Sequence, residues 1–290
     1  MLALAVAVLA ASPLAATPLV AKPLALPGGP PVSMDYLAFD ASTGRLWIPA
    51  GSTGRIDVLD TATGKLEGIG GLATKANGER VMGVSSAFAG DGLVFVGSRA
   101  DASLCAYDAK TLAKKSCLTL ASNPDGVAYV STTHEVWVTL PRADSLAIVG
   151  NQGGVLSLSA TMKLEGGPEG YAVDAASGTF FTNLEDKDKT LAIDVKARKV
   201  VSTWAPECGA EGPRGLAFDG AHQRLYVACT TGLRVLDLAR NGALAGKLET
   251  GAGADNIDYL ASRDQVFIAS GKEGKLTIAR AAKDGSLTAL

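Results

Sequence analysis

Apolar residues in this chain occur in short runs, separated by turns rich in Gly, Asp, Ser and Thr. Two of the clearest examples are YLAFDASTGRLWIPAGSTGRIDVLD at 36–60 and GLAFDGAHQRLYVACTTGLRVLDL at 215–238. In each, an apolar run ends at Asp, a turn follows, and a second and a third apolar run continue the pattern. Runs of this length, rich in β-branched and aromatic residues and bounded by turn residues, predict β-strands.

The order of strand, turn, strand, loop and strand recurs six times. The residues that end the first strand of each copy are 48, 42, 44, 45 and 41 positions apart; they are Asp40, Phe88, Val130, Asp174, Asp219 and Leu260. A period in the forties with four short strands per unit is typical of the β-propeller, in which each unit forms one blade. The sequence therefore predicts an all-β propeller, with first strands near 36–40, 84–88, 126–130, 170–174, 215–219 and 256–260.

An aromatic residue lies seven positions after the end of every first strand. The six are Trp47, Phe95, Trp137, Phe181, Tyr226 and Phe267. A flat side chain at one fixed strand position suits the packing between neighbouring twisted sheets. These aromatic residues are predicted to belong to the core rather than to a cofactor site.

The residues before the repeat divide into two segments. Residues 1–16 are apolar and end in small residues, which predicts a signal peptide, although no Lys or Arg precedes the run. Pro13 interrupts this run, which is too short for a transmembrane helix, and no other segment approaches that length. Residues 17–32 are Pro-rich and are a candidate ring-closing strand at the outer edge of the last blade, and residues 33–290 form the propeller domain.

Charge and cysteine content limit the environment and the partners. The formal net charge is −2, with acidic and basic residues spread evenly, so no clustered basic surface for nucleic acid is expected. The four cysteines predict an oxidising compartment, the periplasm or the exterior. Strand topology brings Cys208 near Cys229 and Cys105 opposite Cys117, which predicts two local disulfides; four free buried thiols are the alternative. We expect a monomer.

The two histidines lie in turns between the first and second strands. His134 and His222 belong to blades two units apart, at the end of the propeller opposite the predicted ligand-binding mouth. No GxSxG, phosphate-binding or CxxC motif is present. A histidine-based catalytic site, a haem site or a copper site is therefore not expected.

Charged residues begin the first strand in five of the six copies. Five positions before the last residue of that strand, the copies read Asp35, Gly83, Asp125, Glu169, Arg214 and Asp255, and Asn256 follows. First strands surround the central channel of a propeller, so these residues are expected to converge at one mouth of it. The loops after the second strands add charges to the same rim, including Arg99 and Glu185, and charged residues of this kind are typical of ordinary solvated loops.

Two interpretations of this mouth are open. Strand starts in a channel are often polar because they are hydrated. Alternatively, Asp35, Asp125, Glu169 and Asp255 supply oxygen ligands for Ca²⁺ or a similar divalent cation, and Arg214 binds a polar ligand. Without a cation, the convergence of carboxylates predicts a raised pKa for at least one of them.

The chain resembles the YVTN-repeat β-propellers, in particular small exported bacterial proteins. The segments that carry the resemblance are RLWIPAGSTGRIDVLDTATGK, EVWVTLPRADSLAIV, RLYVACTTGLRVLDL and VFIASGKEGKLTIAR. It implies a seven-bladed parent fold whose C-terminal blade is incomplete here, whereas the repeats themselves are also compatible with six blades. More distantly, gluconolactonase-like propellers hold a divalent metal at this mouth; Glu169 and Asp255 match those roles, but a pair of channel asparagines is not cleanly matched.

These observations predict an exported, non-enzymatic binding or scaffold protein. Its acidic channel mouth would bind a small ligand, a cation or a protein partner. The alternative is a metal-dependent lactonase or related hydrolase of the gluconolactonase-like type.

Overall fold

The computed structural model describes residues 22–29 and 32–290, and it is a β-propeller of six four-stranded blades. Helical structure in this part of the chain is limited to four single turns of 3-10 helix, at Gly51–Thr53, Pro141–Ala143, Glu185–Lys187 and Leu238–Arg240. No helix of the described residues is long and apolar enough to cross a membrane. The predicted all-β propeller is confirmed with six blades, and the C-terminal blade, predicted to be incomplete, has all four strands. The residues of the predicted signal peptide lie outside the described part.

Each blade is an antiparallel meander whose strands follow chain order. The first strands are Ala38–Asp40, Val84–Gly90, Val127–Val130, Pro168–Asp174, Pro213–Asp219 and Ala254–Leu260. The second strands are Arg45–Ala50, Leu93–Ser98, Glu135–Leu140, Thr179–Leu184, Arg224–Cys229 and Gln265–Ser270. The third strands are Arg55–Asp60, Ser103–Asp108, Ser145–Gln152, Lys189–Asp194, Gly232–Asp237 and Lys275–Ala281. The fourth strands are Leu66–Ile69, Lys114–Thr119, Val155–Lys163, Lys199–Trp204, Ala243–Glu249 and Leu287–Ala289. A short hairpin, Lys75–Asn77 with Arg80–Met82, connects blade 1 to blade 2.

The outer strand of blade 6 comes from Leu287–Ala289, which pairs with the third strand of its own blade. The described residues 22–29 contain no strand, so they do not supply the ring-closing strand predicted within 17–32. Residues just before blade 1 pair with its neighbour instead: Tyr36 forms a parallel bridge with Ser86. This bridge fixes Asp35 beside the start of blade 2.

Many strands of the blades end at an aspartate, and the hydrogen bonds of these aspartates explain why. At the end of third strands, Asp60 and Asp194 each accept hydrogen bonds from two backbone N–H groups of the following turn, at 2.8–3.1 Å. A carboxylate that satisfies turn N–H groups favours the turn over further strand. The repeated Asp is therefore a structural residue of the blades and not part of a site.

The core consists of five hydrophobic clusters, one between each pair of consecutive blades from blade 1 to blade 6. Five of the six repeat aromatics lie in these clusters, at most 3% exposed: Trp47, Phe95, Trp137, Phe181 and Tyr226. This confirms the packing role predicted for them.

The sixth aromatic, Phe267, is only half-buried and lines a cavity. Among the described residues no hydrophobic cluster joins blade 6 to blade 1, and Leu276 on the same face is 60% exposed. On the blade 1 side, Phe39 is 57% exposed. The two terminal blades therefore leave a partly open apolar wedge between them.

Both predicted disulfides are present. Cys105 and Cys117 are directly opposite each other on the third and fourth strands of blade 2. Cys208, in the loop that enters blade 5, is bonded to Cys229 at the end of that blade's second strand. The second bond holds the entry loop of blade 5 against the rim.

Candidate functional site

The start of the first strand carries an irregularity in four blades, and this irregularity positions the charged residues at the mouth. In blades 4, 5 and 6 the pairing register shifts over Pro168–Tyr171, Pro213–Leu216 and Ala254–Ile257. A bulge bends a strand and turns a side chain away from the regular alternation. Gly215 is required here because a Cβ atom would collide with the carbonyl oxygen of Asp255. Glu169, Arg214 and Asp255 thus begin neighbouring strands in close contact.

The first group at the mouth is an arginine bound by two aspartates. Arg99 follows the second strand of blade 2, and its Nη2 donates to Asp35 Oδ2 at 2.6 Å and to Asp125 Oδ1. Asp125 is 8% exposed, and its second oxygen, Oδ2, is buried without a hydrogen-bond partner. Asn256 on blade 6 donates to Asp35 Oδ1 at 2.8 Å. Blades 1, 2, 3 and 6 therefore meet through Asp35 and Arg99.

The second group is an arginine bound by two glutamates. Arg214 Nη1 donates to both carboxylate oxygens of Glu169 at 3.1 Å, and it also binds Glu185. Asn183 supports this group from below: its Nδ2 donates to the backbone oxygen of Arg214 at 2.6 Å, and it accepts from Thr190. Asn183 is therefore a positioning residue.

Asp255 is the remaining predicted residue of the mouth. No hydrogen bond or ion pair of its carboxylate is found among the described residues. Asp255 is exposed to the channel, and partial desolvation there raises its pKa; the negative charges of Asp35 and Glu185 add to that effect, while Arg214 and Arg99 oppose it. Gly83, at the equivalent position of blade 2, contributes only backbone, which packs against Gly51.

Charge crowding changes the ionisation of the mouth. Burial raises the pKa of Asp125 to about 7, with Asp35 and Asp255 adding to the rise and Arg99 opposing it. Burial raises the pKa of Glu169 to about 10, helped by its hydrogen bond with Glu185 and by the charge of Asp125. The raised pKa favours the protonated form of Glu169 at neutral pH, beside Arg214.

This proton gives a first prediction, for the substitution Glu169→Gln. Folded Glu169 keeps its proton between about pH 5 and 9, whereas the unfolded chain loses it near pH 4.3. Stability of the wild type should therefore fall as pH rises through this range, because the folded state binds the extra proton. Glutamine does not ionise, so the unfolding free energy of the variant should fall less steeply, by up to about 1.4 kcal/mol per pH unit.

The measurement is urea unfolding of both proteins at pH 5, 7 and 9. Glu79→Gln, in an exposed turn, is the matched control and should follow the wild type at each pH. Parallel profiles for Glu169→Gln and the wild type would show that Glu169 is ionised in the folded protein.

A divalent cation site is poorly matched by this arrangement. No group of three or more His, Cys, Asp or Glu side chains in the described part of the chain is placed to hold a metal ion. Guanidinium groups contact three of the four predicted ligands, Asp35, Asp125 and Glu169. A Ca²⁺ site formed with Asp255 therefore stays a prediction, and no chemical step is derived from it.

A cavity of about 560 Å³ lies at the mouth and continues down the channel. Asp35 and Asn256 line its upper part, and the aromatic rings of Tyr36 and Tyr171 lie 5.4 Å apart, centre to centre, on its wall. The cavity then extends into the wedge between blades 6 and 1, where Phe267 contributes to its wall.

Sequence reasoning missed several residues of this site. The sequence predicts Arg99 and Glu185 only as charged residues of solvated loops, although both follow second strands and therefore lie on the same rim. Tyr36, Tyr171 and Asp258 were not singled out. A signal existed for Tyr36 and Tyr171: one follows Asp35 directly, and the other lies two residues after Glu169 on an innermost strand.

The histidines lie where the sequence placed them. His134 contacts the hydroxyl of Tyr129 at 2.8 Å, and His222 contacts Asp219 at 2.8 Å, both in turns between first and second strands. Each histidine therefore has a local structural partner.

Comparisons with known proteins show the fold. No protein-family model and no curated protein matches the chain. Among solved structures, a "putative 6-phosphogluconolactonase" from Bacteroides uniformis is similar with a TM-score of 0.72 and 13% identity, over 88% of this chain and 83% of that one. Another from Bacteroides fragilis has a TM-score of 0.71 and 12% identity, over 88% and 82%. A chain of the mitotic checkpoint complex has a TM-score of 0.71 and 11% identity, over 96% and 88%. At these identities the chain shares the propeller architecture with all three.

Proposed function

We propose that this protein is an exported binding protein whose channel mouth takes a small cationic ligand. The observation that carries this proposal is the charge balance at the channel mouth. Five carboxyl groups, those of Asp35, Asp125, Glu169, Glu185 and Asp255, face only two guanidinium groups, those of Arg99 and Arg214. Even with Glu169 protonated, negative charge is in excess in a partly buried place, where a cation gains more than it does in water.

The location outside the cytoplasm is part of the same proposal. Two disulfides are stable in an oxidising compartment and rare in a reducing one. Their position also matters, because the Cys208–Cys229 bond braces the loop beside Glu185.

Thermal unfolding tests the binding proposal. CaCl₂ and tetramethylammonium chloride, compared with NaCl at equal ionic strength, are the two cationic probes. At least one should raise the melting temperature, because a ligand that binds only the folded state stabilises it by mass action. Asp255→Asn should reduce that shift.

Asp91→Asn is the matched control, because Asp91 is an exposed turn residue with φ of 58°, which Asn also adopts. It should leave the shift unchanged. If neither cation shifts the melting temperature, or if Asp255→Asn leaves the shift intact, the mouth is a hydrated channel opening and the proposal fails.

A second candidate is lactone hydrolysis, supported by the likeness to two structures described as lactonases and by the protonated Glu169. A carboxylic acid in this state can donate a hydrogen bond to a lactone carbonyl. The excess negative charge disfavours a phosphorylated lactone, so an uncharged δ-lactone is the substrate to test. Acid release followed in a pH-stat, absent in Glu169→Gln, would support hydrolysis over binding alone.

A further inference from the structure

The cavity below the mouth is lined by a combination of polar, aromatic and aliphatic residues that cation binding at the mouth alone does not account for. Its polar side is formed by Asp35, Asn256 and Asp258, and its remaining walls are aromatic or aliphatic. Asp258 lies three residues after Asp255 on the innermost strand of blade 6, further down the channel. The cavity therefore has carboxylates at two levels.

Asp258 has no basic partner among the described residues; its one recorded bond is from the backbone N–H of Tyr259 at 2.8 Å. Asp258 is exposed to the channel, and partial desolvation by the channel wall raises its pKa. At the upper level, Asp35 lines the cavity and is bound by Arg99 and Asn256. In the described part of the chain, Asp258 is therefore the carboxylate of the cavity wall that no arginine compensates.

Aromatic rings occupy the space between these two levels. Tyr171 lies 5.4 Å from Tyr36 and 6.2 Å from Phe88, measured between ring centres. Burial raises the pKa of the Tyr171 hydroxyl, and the charges of Asp125, Asp35 and Asp258 raise it further. The rings therefore lie within the field of carboxylates from both levels. Aromatic faces attract organic ammonium groups but supply no ligand oxygen for a metal ion.

The lower wall is apolar and extends into the wedge between blades 6 and 1. Phe39 and Leu276 are 57% and 60% exposed, and Phe267 is half-buried beside them. A volume of about 560 Å³ is much larger than a bare tetramethylammonium ion needs, and it is in the range of small-molecule sites. The apolar wall fits a hydrocarbon part attached to the charged group.

We propose that this cavity binds an organic cation whose ammonium group lies against Tyr36 and Tyr171, between Asp35 and Asp258, and whose apolar part extends along Phe39, Phe267 and Leu276. The proposal rests on the proposed function, because it names the class of cation that the acidic mouth admits. It differs from a Ca²⁺ site in using aromatic faces and the apolar wedge.

Isothermal titration calorimetry with four probes tests the proposal. The probes are hexyltrimethylammonium, tetramethylammonium, Ca²⁺ and uncharged 1-hexanol. Hexyltrimethylammonium should bind roughly a hundredfold tighter than tetramethylammonium, because several methylene groups leave water. It should also bind at least about tenfold tighter than hexanol, because hexanol lacks the charge that the aromatic rings and carboxylates attract.

Four substitutions at three residues separate the parts of the site. Asp258→Asn should weaken both ammonium probes without changing hexanol binding. Phe267→Ser should remove most of the advantage of the hexyl chain and leave tetramethylammonium unchanged. Tyr171→Leu should weaken both ammonium probes about tenfold, whereas Tyr171→Phe, which keeps the ring, should not. If Tyr171→Leu does not fold, the first two variants decide, since both residues face the cavity.

Each other outcome overturns the inference in a distinct way. Binding of Ca²⁺ alone would support a cation-binding mouth and contradict the organic cation. Equal affinities for hexanol and hexyltrimethylammonium would show that the cavity binds apolar groups without recognising the positive charge. Equal affinities for hexyltrimethylammonium and tetramethylammonium would show that the apolar wedge does not contribute to binding. If no probe binds, the proposed function fails together with the inference.

Discussion

Phe95→Ala should lower the free energy of unfolding by about 3–5 kcal/mol, whereas Phe267→Ala should cost only about 1 kcal/mol. The two residues have the same type and the same position in their blades. Phe95 is fully buried between blades 2 and 3, so its removal leaves a cavity enclosed by side chains. Phe267 faces the open wedge, where much of its surface already contacts solvent and no closed cavity can form.

Urea unfolding of the two variants measures this difference, and Phe181→Ala, 3% exposed in blade 4, should behave like Phe95→Ala. Equal costs for Phe95→Ala and Phe267→Ala would contradict the open wedge. They would show that the face of blade 6 is covered in solution as tightly as the other blade faces.

The architecture could be predicted from the sequence because the repeat is local. Each blade is a meander of consecutive strands, so the turn residues and the alternation within about forty residues determine its pairing. The fixed aromatic position identified the packing between blades correctly for five blades. The exception, Phe267, could not be predicted because its environment depends on how the first and last blades meet, which no single repeat encodes.

The mouth could be predicted only in part. Symmetry placed Asp35, Asp125, Glu169, Arg214 and Asp255 at one end of the channel. The partners of these residues were not evident, because Arg99 and Glu185 come from loops whose side-chain directions depend on tertiary contacts. Asp258 could not be identified from the sequence for a similar reason. The sequence of an innermost strand does not show which of its residues face the cavity and which pack against the neighbouring blade.

The two arginines at the mouth also change the interpretation of its ring of acidic residues. The four carboxylates identified in the sequence predict a binding site for a hard cation such as Ca²⁺. In the structure Arg99 and Arg214 bind three of them, and the carboxylates without an arginine partner in the described residues are Asp255 and Asp258. Asp258 lines the same cavity as Tyr36 and Tyr171, and this combination is the basis of the proposed organic cation.

Arg99→Met should be the most damaging substitution at the mouth, with a loss of about 3 kcal/mol of unfolding free energy at pH 8. Arg99 binds Asp35 and Asp125 at once, and Asp125 is 8% exposed. Removal of the guanidinium leaves a buried carboxylate without compensation. The expected cost lies at the lower end of the range for broken buried ion pairs, because the Arg99 side chain is itself 32% exposed.

The loss should shrink at pH 5. Burial already raises the pKa of Asp125 to about 7 while Arg99 is present, and the pKa should rise further without it. In the variant the Asp125 carboxyl is therefore protonated at pH 5, so no buried charge is left, whereas at pH 8 folding must either hold that charge or bind a proton from dilute solution. Urea unfolding at the two pH values measures the difference.

The double variant Arg99→Met/Asp125→Asn is the decisive control for this prediction. Asparagine removes the charge that Arg99 neutralises, so the second substitution should recover stability at pH 8 and change little at pH 5. If the two substitutions instead destabilise additively at pH 8, Arg99 stabilises the mouth through packing of its side chain. The ion pair with Asp125 would then not be the reason why these blades meet at their inner ends.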